Sequence, residues 1–91
     1  MANIDYASKP IYHGTDNYGQ AKSKYLDKVK AMTDEALQHE CYSMIYQSAR
    51  CSNRPGADWH WMVDACSDEC EARGKPHIYT NAYNKCVKDN T

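Results

Sequence analysis

The chain has 91 residues, with 12 acidic side chains against 11 basic ones, and this interspersed near-neutral balance excludes a basic stripe for a nucleic-acid backbone. Leucine occurs twice, valine three times, isoleucine four times and phenylalanine never, so much of the 42% hydrophobic content is Tyr, Ala and Cys. That composition supports one lean domain, excludes a run of the ~20 apolar residues that cross a bilayer, and leaves extra stabilisation to disulfides, a metal or a partner surface.

Residues 1–17 read as an extended, irregular arm, because Pro10, Gly14 and the Thr15, Asp16, Asn17 cluster oppose regular structure. Ile4, Tyr6, Ile11 and Tyr12 punctuate it and need cover, either from the chain's own helices or from a larger partner. The segment from Met1 to Pro10 has neither the apolar stretch of a signal peptide nor the arginines of a transit helix, so delivery without a cleaved presequence is expected.

Residues 18–91 read as a single helical domain. Ala21, Tyr25, Val29 and Met32 recur at helical spacing and predict a first helix from about Tyr18 to Met32, with Lys22, Lys24, Lys28 and Lys30 on its other sides. Thr33 followed by Asp34 and Glu35 is an N-cap with acids in the first turn. It predicts a second helix to about Arg50, with fusion to the first as the alternative. Ser52 to Gly56 form a turn. Asp58 is the expected cap of a third helix that ends at Arg73, where Gly74 and Pro76 supply a stop signal. A short last helix is expected over Ile78 to Lys88. Strand-like alternation is missing, and the fold class is all-α.

Five cysteines fall in the second and third helices and the last one. Cys41, Met44 and Ile45 share a face of the second helix, while Trp59, Met62, Val63, Cys66 and Cys70 share one of the third. An antiparallel hairpin closed by the turn at Pro55 sets Cys41 opposite Cys70 and Cys51 opposite Trp59; the next turn sets Cys66 opposite Cys86. Two staples follow from this register, Cys41–Cys70 and Cys66–Cys86, with Cys51 a free thiol. Along one helix Cys41 and Cys51 are ~15 Å apart, beyond the ~4.4–6.8 Å that a disulfide tolerates. A second set, Cys51–Cys66 with Cys70–Cys86, leaves Cys41 free. The remaining alternatives are five reduced thiols serving as small core side chains and a zinc set of Cys66, Cys70, His77 and Cys86 with His60 as a spare ligand.

The Cys41-x9-Cys51 segment, with the cysteines that follow to Cys86, resembles the coiled-coil-helix-coiled-coil-helix proteins of the mitochondrial intermembrane space. The resemblance covers about half of the chain. It departs from the family's second C-x9-C segment, since the position ten after Cys66 is Pro76. It implies import without a presequence, oxidative folding, and a role as a non-catalytic accessory subunit of an inner-membrane assembly, with the respiratory chain as the leading setting. The expected partners are protein subunits, and neither a transmembrane segment nor a cofactor is expected.

Two cysteine–histidine pairs, Cys41 with His39 and Cys66 with His60, lack a third orienting group and an oxyanion hole, so no catalytic residue is assigned. Trp59 and Trp61 point to different sides of one helix, which makes Trp61 an interface anchor if it faces outward. Tyr42 with Tyr46, and Tyr79 with Tyr83, are i, i+4 pairs. Together with Tyr6 and Tyr12 they supply more aromatic surface than three short helices bury. The alternative function is a small cytosolic phage or bacterial protein that binds and inhibits a host protein, its cysteines being core filler.

Overall fold

A computed structural model describes residues 9–91; Ile4 and Tyr6 lie outside the described residues. A single 3-10 turn, Pro10–Tyr12, leads into four α-helices: α1 (Lys22–Lys30), α2 (Asp34–Arg50), α3 (Asp58–Ala72) and α4 (His77–Asp89). The all-α expectation holds over the described residues, which contain no strand beyond one isolated bridge, Thr15 to Ala21.

Helix α1 begins four residues later than periodicity predicts. The Asp16 carboxylate accepts from the backbone N–H groups of Tyr18 and Gln20, both at 2.9 Å, and Gly19 takes a positive φ of 82°. A short acid thus offers the backbone a turn in competition with the helix. Fusion of α1 with α2 is prevented at Thr33, whose extended backbone lets its Oγ1 accept from the Ala36 N–H at 3.1 Å. Asp58 opens α3 without capping it. Its carboxylate instead accepts from the Asn17 N–H and from Trp61 Nε1–H, the latter at 3.0 Å, so the expected cap serves as a tether for the preceding chain. Beyond α3, Gly74 adopts a φ of 70° and Lys75 N–H returns to the Cys70 carbonyl at 2.9 Å. This closure satisfies the last helical carbonyls and turns the chain into α4.

Helices α2 and α3 run antiparallel, with Cys41 beside Cys70 at one end and Ser48 bonded to His60 at the other. Helix α4 runs parallel to α2, joined by Asp34 to Lys75 at the start and Tyr42 to Asp89 at the finish. These three helices enclose the larger core of Leu37, Cys41, Met44, Ile45, Cys66, Cys70, Ile78, Ala82 and Cys86, to which α1 adds Val29.

A second, aromatic core lies on the other side of α3, where Tyr12, Leu26, Trp61 and Ala65 pack together. Tyr12 is 4% exposed and Trp61 is 9% exposed. The described part of the arm is therefore folded back over α3, continuous with the helical domain. Among the described residues no helix is long and apolar enough to cross a membrane.

Candidate functional site

The buried sulfurs make the most concentrated chemistry in the molecule. Cys41 Sγ lies 3.7 Å from Cys70 Sγ, and both residues are fully buried. Cys66, one turn before Cys70 on α3, places its sulfur 3.4 Å from Tyr25 Oη, whose proton goes to Glu40 at 2.6 Å. The five cysteines stand unbridged in this structure. The register expected for α2 and α3 brings Cys41 to Cys70. It does not join Cys66 to Cys86: Cys66 faces Tyr25 of α1, while Cys86 Sγ accepts from Asn90 Nδ2 at 3.7 Å. The reason is the route of the chain, because α4 packs mainly along α2 and only lightly on α3.

Contact with Cys66 first and Cys70 second, then burial, holds the Cys41 thiol well above its ordinary range. The Cys70 thiol is lowered, first by the hydrogen bond from Cys41, against burial, and then by the Arg73 charge and the Tyr79 backbone N–H. Cys70 is thus the more acidic sulfur of the pair. Burial, followed by the charge of Cys66, pushes the Tyr25 hydroxyl far above its usual range, so it stays a donor.

Cys51 is half-buried at the C-terminal cap of α2. His60 reaches neither Cys66 nor a metal set. Its Nε2 donates to the Cys51 and Arg54 carbonyls at 3.1 and 3.0 Å, and in the neutral ring Nδ1 accepts from the Ser48 hydroxyl at 2.6 Å. The ring pins the α2–α3 turn. No group of three or more His, Cys, Asp or Glu among the described residues has metal-binding geometry, and the expected zinc alternative of Cys66, Cys70, His77 and Cys86 is not assembled.

Of the expected interface residues, Tyr12 and Trp61 are corrected. Tyr12 donates to the buried Asp68 carboxylate at 2.6 Å and stands edge-on to Trp61, which also meets Tyr25 at 5.6 Å between ring centroids. Both side chains are core because the lean sequence offers few aliphatic residues to cover α3 there. Tyr42, Tyr46 and Tyr79 are half-buried. Tyr42 donates to Asp89, Arg50 donates to the Tyr46 hydroxyl, and Tyr79 packs on the larger core.

Sequence reasoning passed over the acids of α3. Asp68 accepts from Tyr12 and from Lys9 Nζ at 2.7 Å, and Glu69 holds Arg73, which also reaches Asp34 and the Val29 carbonyl. Asp64 and Asp68 at i, i+4 beside the apolar face were the available signal.

The outer side of α4 carries a different kind of surface. Thr80, Tyr83, Asn84 and Val87 follow the i, i+3, i+4, i+7 spacing of one helix side, and all four are exposed. Tyr83 is 49% exposed and Val87 is 44% exposed. The stripe has no charge, whereas the corresponding exposed positions of α1 hold Lys24, Asp27 and Lys28. A groove of about 630 Å³ runs along the opposite side of α4 against α2, lined by Glu35, His39, Tyr42, His77 and Lys85. Tyr18, 88% exposed, projects from the turn before α1. Comparison of the chain with protein-family models, curated proteins and solved structures returns no match.

Proposed function

We propose that the chain is a non-catalytic helical protein that acts by binding other proteins as an accessory component of a larger assembly. The observation that carries this reading is the uncharged outer side of α4, where Tyr83 and Val87 stay open to solvent on a domain otherwise short of apolar side chains. A chain with so little aliphatic volume gains by burying a tyrosine and a valine, and exposed aromatics flanked by neutral polar groups are favourable interface anchors. Paired Tyr83→Lys and Val87→Lys substitutions touch only exposed positions. Affinity capture of the native complex is expected to retain partner subunits on the unaltered chain and to lose them on the doubly substituted chain at unchanged helicity. Equal retention by both would remove this side of α4 from the binding surface and withdraw the reading.

The cysteine pattern supports the more specific setting, a subunit of an inner-membrane assembly on the intermembrane-space side of mitochondria, with the respiratory chain first. A second reading, a small cytosolic protein that binds and inhibits another protein, is favoured by the packing of Cys41, Cys66, Cys70 and Cys86 as small buried thiols. Alkylating the native-source protein before and after reduction separates them. Bridged cysteines in the untreated protein support the oxidising compartment; five labelled thiols at the outset support the cytosol.

A further inference from the structure

We propose that Cys41, Cys66 and Cys70 form one dithiol–disulfide unit, with Cys41 the shared member, Cys70 its first partner and Cys66 its reserve, closed by peroxides and reopened by thiols. This goes beyond partner binding and stands independently of it.

Geometry selects the members. Sulfurs 3.7 Å apart across the α2–α3 contact need a small approach to reach the ~2.05 Å of a disulfide. Cys66 lies one helical turn before Cys70, so α3 offers Cys41 two sulfurs from the same side. Cys86 is turned toward Asn90, and Cys51 sits at the far end of α2, so neither belongs to the unit. The proton distribution agrees: Cys41 holds its proton against both neighbours, and Cys70 is the sulfur that loses one more readily.

The chemistry balances with one peroxide. The Cys70 thiolate attacks a peroxide oxygen, the O–O bond breaks, and the sulfur becomes a sulfenic acid while the departing hydroxide takes a proton to give water. Cys41 sulfur then displaces the sulfenic hydroxyl, forming the S–S bond, and the displaced oxygen leaves as a second water with the Cys41 proton. Two thiols and one hydrogen peroxide yield one disulfide and two waters. An added dithiol reverses the bond by exchange.

Access is controlled by the covering layer. Cys41, Cys66 and Cys70 are fully buried, and Tyr25 of α1 lies directly over Cys66. Oxidant therefore reaches the sulfurs only when the packing over them opens, and closing the bond fastens α2 to α3.

The test uses the reduced full-length chain exposed to hydrogen peroxide, quenched by alkylation and mapped by peptide mass spectrometry. The expected product has lost two hydrogens, carries a Cys41–Cys70 link, and regains its original mass with dithiothreitol. In Cys70→Ala the link is expected to move to Cys41–Cys66, and in Cys41→Ala no link forms within the unit, with folding of each checked by circular dichroism. A Cys86 or Cys51 link in the unaltered chain would overturn the proposal. So would five alkylatable thiols after a peroxide exposure that oxidises the same chain in denaturant.

Discussion

The two cores on either side of α3 are built by different means. The larger one, between α2, α3 and α4, uses Leu37, Ile45, Ile78, Ala82 and four thiols, side chains that fill space with little hydrogen-bond demand. The smaller one uses Tyr12 and Trp61, whose polar atoms are met by Asp68 and Asp58. The first is filled by side chains whose burial contributes roughly 25 cal/mol per Å² of apolar area, with its polar ties confined to the rim. The second needs an acid for each aromatic, and those acids also fasten Lys9 and Asn17. A sequence poor in aliphatic residues can thus add a layer to a helical bundle with aromatics, provided the neighbouring helix carries carboxylates at the right turns.

Breaking this contrast begins with the largest residues. Trp61→Ala is expected to cost about 3–5 kcal/mol. Hydrogen exchange should show the loss concentrated in residues 9–30 while α2 and α4 keep their protection; uniform loss would mean that the two cores are one cooperative unit. Leu37→Ala, in the larger core, should cost about 2–5 kcal/mol in denaturant unfolding. In contrast to Trp61→Ala, it should lower protection in every helix, because α1 and the arm have no support without α3.

A smaller effect sharpens the polar half of the comparison. Tyr12→Phe keeps the ring against Trp61 and removes its hydrogen bond to the buried Asp68 carboxylate, a loss of about 1.5–3 kcal/mol. A change within a few tenths of that of a surface substitution would show that Lys9 alone satisfies the acid.

The smallest expected effect concerns acid. The Asp34 carboxyl is held below its ordinary value of 3.8 by its bond to Lys75 first and to Arg73 second. Because the folded value is depressed, this contribution is present above pH of about 4 and is lost as pH falls through the lower folded value. Asp34→Asn should therefore flatten the acid limb of a stability–pH curve, an effect that high salt reduces because Asp34 is half-exposed. An unchanged limb would assign acid sensitivity to other carboxylates, such as Asp89 beside Lys85.

Much of the helical frame was legible from local signals. Thr33 with Asp34 and Glu35 marked the start of α2, and Gly74 with Pro76 marked the end of α3, because caps and stops act through groups only a few residues apart. The hairpin register was legible too, since one short turn between two helices leaves little choice in which residues face each other, and Cys41 does meet Cys70. Asp16 and Asp58 misled because each short acid has two uses: Asp16 made a turn where periodicity predicted helix, and Asp58 bonded Asn17 at the end of the arm where a cap was expected.

What local pattern determined by itself, then, was the number of helices, their approximate limits and the α2–α3 pairing. Tertiary structure alone decided which side of α3 each element covers. Placing α4 along α2 turned Cys86 away from Cys66, and returning the arm over α3 drew Tyr12 and Trp61 inward while leaving Tyr83 and Val87 outside. Helical periodicity defines faces, but the burial of a face depends on long-range contacts whose energies are summed over the whole molecule, and no spacing within a single helix contains that sum.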